Sequence, residues 1–171
     1  MVNAPARKQS CEPCWEPRLL ALNNAHAEQT SLLDVERLRL MVQSAFHVGT
    51  AGDLDAFLIA FDQDAKLGDA PYDSPNFLWL RARHARFVYV DRVVTAPASR
   101  GRGLARKLYQ ALFERARAAG HDRVLCEVNL DPPNPGSDAF HDRMGFVGIG
   151  QATLPEGKIV RYLRRDLERM A

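Results

Sequence analysis

The apolar positions of this chain change period several times, and each change marks a predicted element. Residues 18–22, Arg-Leu-Leu-Ala-Leu, read as a first strand ended by Asn23-Asn24. Val35, Leu38, Met41, Val42 and Ala45 then share one helical face behind Ser31-x-x-Asp34, which reads as a capping box, so a helix is predicted to about residue 47. Residues 46–50 fit either a strand or the end of that helix. After a turn at Gly52-Asp53, residues 56–61 form a continuous apolar run suited to a buried strand. Residues 68–76 read as a loop, and residues 77–83 as a short helix. Residues 87–95 are β-branched and aromatic, as a strand requires. Ala96-Pro97-Ala98-Ser99 breaks that run. Leu104, Leu108, Leu112 and Ala116 recur at helical spacing up to Gly120, placed as a residue just past a helix end. Residues 124–128 predict another strand. Three prolines keep residues 131–136 out of helix, and residues 137–144 form a short helix with Ser137 or Asn134 near its cap. Residues 146–153 and 159–164 are two last strands around a Pro155-Glu-Gly157 turn. Strands interleaved with helices in this order predict a mixed α/β sheet with helices on both faces.

Composition narrows the picture. A chain of 171 residues, 46% hydrophobic, predicts one domain, over residues 17–171. Residues 1–16 carry Pro5 and Pro13 and no periodicity, and read as a flexible N-terminal extension. A formal net charge of +2 gives no global basicity for nucleic acid. No apolar run is long enough to span a membrane, and Arg7-Lys8 is followed by no apolar core of a secretory signal. Three cysteines make no disulfide framework, which points to a reducing cytoplasm. Cys11-x-x-Cys14 lacks partners to complete a metal site. His26, His47, His84 and His121 show no ligand spacing and read as surface or helix-end residues, so no metal is expected.

The candidate chemistry lies where the strand over residues 87–95 turns into the following helix. Arg100-Gly101-Arg102-Gly103-Leu104-Ala105 places a glycine-rich turn at a helix start, where free N–H groups and the helix dipole favour a phosphate. Arg106 and Lys107 add charge. Lys107 is followed by Leu108, so the turn is not a P-loop. The sixth position counted from Gly101 is Arg106, so it is not a dinucleotide fingerprint either. Arg100-x-x-Gly103-x-Ala105 does fit the pattern Arg/Gln-x-x-Gly-x-Gly/Ala, and a second motif follows in register, Asn134-Pro-Gly-Ser137-Asp-Ala-Phe140-His141-Asp-Arg-Met-Gly145-Phe146. Together these resemble the pyrophosphate-binding and later motifs of the GNAT superfamily of N-acetyltransferases. The resemblance covers residues 85–165 well, and residues 18–84 only in the order of elements.

That resemblance implies a mostly antiparallel central sheet whose two middle strands, near 87–95 and 124–128, splay apart to take the pantetheine arm of acetyl-CoA. It implies cofactor contacts from Val93, Val94 and Thr95, one of whose N–H groups faces the oxyanion, from Arg100 to Ala105, and from Asn134, Ser137 and Phe140. The usual general-acid tyrosine has His141 at its place. An imidazole is mostly deprotonated at pH 7 where a phenol is not, so His141 acts either as a neutral hydrogen-bond donor or as an acid when protonated. Glu127 is the first candidate base, as an acid between Cys126 and Val128 beside the splay; Asp91 competes with it. Asn129 shares the Glu127 face by the strand period. The superfamily builds its acceptor wall from regions that correspond here to Thr30, Ser31 and residues 71–80, so Asp73 is a candidate acceptor contact, beside Asn129 on the Glu127 face and Tyr162 on the last strand. Tyr109 reads as packing.

The expected activity is acetyl transfer from acetyl-CoA to a primary amine of a small molecule, amino acid or peptide N-terminus, by a monomer or homodimer. The alternative is a non-catalytic acyl-CoA sensor on the same fold. A Rossmann-type nucleotide binder lacks both the sixth-position glycine and enough βαβ units.

Overall fold

The computed structural model describes residues 15–168. The Cys11-x-x-Cys14 pair lies outside them. Two helices come first, α1 (Trp15–Asn24) and α2 (Val35–Ser44). The strand expected over residues 18–22 is therefore helix. Its Leu, Ala and Arg residues are good helix formers with no β-branching, and Leu19 and Asn23, four apart, form its buried face. Trp15 and Glu16, expected in the extension, belong to this helix, and Glu16 pairs with Arg39 at 2.8 Å. Asn23 and Asn24 do not break it. They use their side chains to hold the turn that follows, donating to Ser31 O (2.8 Å) and Leu33 O (2.9 Å). Asp34, rather than Ser31, caps α2, accepting from Arg37 N at 2.7 Å.

The strands are β1 (His47–Ala51), β2 (Ala56–Asp62), β3 (Lys66–Leu67), β4 (Ala70–Pro71), β5 (Phe87–Thr95), β6 (Arg123–Asp131), β7 (Val147–Thr153) and β8 (Ile159–Asp166). The expected loop over 68–76 thus holds β4 of a small β3–β4 hairpin. Helix α3 (Pro75–Arg81) starts in that loop too, at a proline in its first turn behind the cap Ser74. Helix α4 (Leu104–Ala118) follows the glycine turn, and α5 (Pro135–Arg143) is capped by Asn134, whose side chain accepts from Ser137 N at 3.2 Å. Pro135 opens α5 rather than excluding it, because a proline at the first helical position loses no helical hydrogen bond.

Six strands form one sheet in the order β1-β2-β5-β6-β8-β7, and the small hairpin stands apart. Every pairing in the large sheet is antiparallel except β5 with β6. The α4 side of the sheet buries Val88, Val90, Val124, Cys126 and Val128 with Leu108, Leu112 and Phe113. The other side buries Phe87, Tyr89 and Leu125 with Leu38, Met41, Phe77 and Leu80 from α2 and α3. Helices cover both faces, as the element order implied.

Two irregularities open the middle of the sheet. The parallel strands β5 and β6 pair at three positions, Phe87–Arg123, Val88–Val124 and Tyr89–Leu125, and then separate. Beyond that point β5 stays paired to β2 and β6 to β8, so the two edges facing each other have no strand partner. Opposite Ile59 and Ala60 the β5 register skips Asp91, a bulge. The bulge resets the two-residue alternation. Tyr89 and Val94 consequently fall on the same face of the sheet, and Asp91 and Arg92 both reach the cavity on that face.

Candidate active site

The glycine turn is shaped for a ligand. Gly101 (φ 77°) and Gly103 (φ 74°) both lie in the left-handed region, and no atom comes within 4 Å of where a side chain would start. Gly103 caps α4 without a side chain, and the first helical bond runs from Lys107 N to Gly103 O. The N–H groups of Leu104, Ala105 and Arg106 therefore have no helical partner. A groove of about 690 Å³ runs past them, walled by Val93, Val94, Thr95, Arg100, Gly101, Gly103, Leu104, Ala105, Asn134, Ser137 and Phe140. Arg102 is not on this wall; it donates to Ser99 Oγ (3.2 Å) and Asp55 (3.3 Å). Open backbone donors, left-handed glycines and unpaired strand edges in one groove fit a pyrophosphate with an extended arm.

The groove reaches a second cavity through the strand opening. A space of about 70 Å³ shares Val93, Asn134, Ser137 and His141 with the groove. On its far side it shares Asp91, Arg92, Glu127 and Asn129 with a cavity of about 390 Å³, walled further by Ser31, Arg37, Tyr72, Asp73 and Asn76. Gln29 and Thr30, in the α1–α2 turn, border all three spaces. The groove and the far cavity thus meet where β5 and β6 part.

Two carboxylates face this junction, and their surroundings differ. Asp91 has both oxygens engaged, accepting from Tyr72 Oη and from Arg92 Nε at 2.6 Å. The Asp91–Arg92 pair is sealed, with side chains 5% and 6% exposed, and Arg92 also donates to Asn23 Oδ1 at 2.8 Å. Glu127 accepts from Asn76 Nδ2 (2.9 Å) and Tyr89 Oη (3.1 Å) through Oε1. Its Oε2 is buried and has no hydrogen-bond partner among the described residues. Burial, reinforced by the nearby Asp91 charge, pushes the Glu127 carboxyl up to about 8.

The other candidates take supporting positions. Tyr162 is buried behind the wall, donating to Asn76 Oδ1 at 3.0 Å and stacked on Trp79 with ring centroids 4.0 Å apart. Asn129 Nδ2 holds Glu28 O at 3.4 Å. Asp73 is tied to Arg37 at 2.7 Å on the cavity rim, which lowers its pKa.

His141 is 3% exposed, and both its ring nitrogens are engaged. Nδ1 lies 2.8 Å from Ser137 O, a carbonyl that can only accept, so Nδ1 carries the proton. Nε2 is then the acceptor for the Tyr109 hydroxyl at 2.7 Å. Burial lowers the imidazole's pKa, keeping it neutral at pH 7. Tyr109, read from sequence as packing, also borders the 70 Å³ junction, beside the buried Cys126 thiol. Its position inside an apolar helical stripe gave no sign of this. Tyr72 and Asn76 fall in the 71–80 stretch expected to wall the acceptor, but their bonds to Asp91 and Glu127, like that of Arg92 to Asn23, join distant segments and were silent.

Residues 30–146 match the acetyltransferase (GNAT) family, and the chain belongs to it. A relative 31% identical over 150 residues, covering 86% of this chain and 83% of its own, is the L-methionine sulfoximine/L-methionine sulfone acetyltransferase of Pseudomonas paraeruginosa. The fold is similar to that of ribosomal-protein-alanine N-acetyltransferase from Brucella melitensis, with TM-score 0.61, 21% identity and coverage of 88% and 93% of the two chains. It is also similar to the NatC complex bound to Gag peptide and CoA, with TM-score 0.61, 14% identity and coverage of 90% and 92% of the two chains. The protein is an N-acetyltransferase, and acetyl-CoA is its cosubstrate. Among the described residues no helix is long and apolar enough to cross a membrane.

Proposed function

We propose that this acetyltransferase modifies the amine of a small amino-acid-like acceptor by direct attack in a ternary complex, with Glu127 as the base. The observation that carries the reading is the unpartnered Oε2 of Glu127 at the junction of the two cavities. Acetyl-CoA supplies an activated carbonyl there. Glu127, held by Asn76 and Tyr89 through its other oxygen, takes the proton that the attacking nitrogen must lose. Asp91 is the weaker candidate because both of its oxygens are already engaged. The β5 edge at Val93–Thr95, unpaired toward β6, offers N–H groups to the carbonyl oxygen as it gains charge. Tyr109 stands at the sulfur end of the junction, and His141 positions its hydroxyl.

The far cavity, about 390 Å³, has the size of a small-molecule site. Arg37 and Lys158 on its wall suit a carboxylate, and Leu33, Met41 and Leu154 offer apolar contact to a side chain. The relative named for methionine sulfoximine and sulfone, both α-amino acids, supports the same class. Thiol release would be followed with L-methionine sulfone, other free amino acids, and short peptides. Turnover with free amino acids, and none when their amine is already acylated, is expected. Turnover confined to peptides, or none with any amine, would contradict the reading.

A further inference from the structure

We propose that His26, in the turn between α1 and α2, is a ligand for the cofactor's pyrophosphate, facing it across the groove from Arg100. The inference rests on acetyl-CoA lying in that groove. His26 borders the groove with Arg100, Gly101 and Gly103, although it lies far outside both sequence motifs. Its Nε2 is buried and has no hydrogen-bond partner among the described residues. A buried polar atom left without a partner is costly, and a polar ligand that reaches it removes that cost.

The backbone under the ring is held from several directions. His26 N donates to Asn23 O at 2.9 Å, and His26 O accepts from Gln29 N at 3.0 Å and from Thr30 Oγ1 at 3.0 Å. Asn23 is itself fully buried and bonded to Arg92. Lys158 Nζ holds the turn at Glu28 O, 2.8 Å away. The imidazole is therefore carried on a fixed turn rather than a free loop. Burial and the Arg100 charge lower its pKa, so the ring stays neutral beside the arginine. A neutral ring offers an N–H without repelling Arg100, and an anion placed between them satisfies both. Arg100 is exposed on the groove wall.

Calorimetric titration of the full chain with acetyl-CoA, 3′-dephospho-acetyl-CoA and S-acetylpantetheine tests this. His26→Ala is expected to weaken acetyl-CoA and its dephospho form equally, by about tenfold. S-acetylpantetheine, which lacks the pyrophosphate, should bind both proteins alike. His26→Gln keeps an N–H and should recover most of the loss, which separates a lost ligand from a damaged turn. Equal acetyl-CoA affinity in parent and His26→Ala would overturn the proposal. So would an equal loss toward S-acetylpantetheine, or a loss confined to the form carrying the 3′-phosphate. If the parent itself bound none of the three, the groove assignment would fail first and the proposal with it.

Discussion

The two sides of the β5–β6 opening are built differently. The groove side, proposed to hold the cofactor, is local: one turn and one helix start, between Arg100 and Arg106, present backbone N–H groups, with a second capped helix beside them. The far side, proposed to take the acceptor, is assembled from segments far apart in the chain. Asn76 reaches Glu127 across 51 residues, Tyr162 reaches Asn76 across 86, and Lys158 reaches Glu28 across 130. A backbone site needs little more than the right dihedral angles, which glycine supplies, so its pattern is short and contiguous. A side-chain site depends on tertiary packing, so its pattern is dispersed.

The largest effect should separate the two sides outright. Gly103→Glu sets a carboxylate against the N–H cradle, on a residue whose positive φ already disfavours any side chain. Acetyl-CoA affinity is expected to fall by about 100-fold or more, by roughly the repulsion of a buried like charge plus lost donors. Calorimetry on the folded variant checks it, and unchanged affinity would remove the turn from the cofactor site.

Glu127→Gln should act on the other side. Cosubstrate affinity is expected to stay within about twofold while kcat falls by about 10². The same variant has a stability consequence. The folded-state pKa of Glu127 is raised, so the folded protein holds this proton more tightly than the unfolded chain does. Stability from this group is therefore lost as pH rises from the ordinary carboxyl range through about 8. The Gln variant should melt above the parent at pH 9, with the gap closing by pH 5.

A smaller effect tests how the acceptor wall is supported. A Cβ on Gly150 would lie 2.7 Å from Trp79, whose ring is stacked on Tyr162 and faces the Arg83 guanidinium 3.9 Å away. Gly150→Ala should cost about 1–3 kcal/mol of stability, read by denaturant unfolding, and raise the acceptor KM through Tyr162 and Asn76. The smallest of these effects belongs to His141→Phe. Its imidazole has no spare proton at neutral pH, so kcat should drop by about tenfold through a misplaced Tyr109 hydroxyl. A drop approaching the 10²–10⁴ range of a lost general acid would mean that His141 delivers the proton itself.

The same contrast explains what could be read from the chain. The central strand, the glycine turn and α4 were legible because β-branched runs, glycines and helical spacing each have a local cause. The strand expected over residues 18–22 failed because five apolar-rich residues are too few to tell strand from helix. Pro135 looked like a helix breaker, yet it is tolerated at the first position of α5. Asp91 and Arg92 share a face through a bulge at which the sequence shows no glycine or proline. The engagement of His141 by Tyr109 and Ser137 was hidden for another reason: a residue's place in a motif does not show whether its nitrogens are free.

The pH dependence of kcat/KM in the parent and in Glu127→Gln is the most direct test of the central claim. The parent rate should climb with pH and level off near 8, where Glu127 loses its proton, and the Gln variant should lack that limb. An identical rising limb in both proteins, with kcat little changed, would show that the base lies elsewhere.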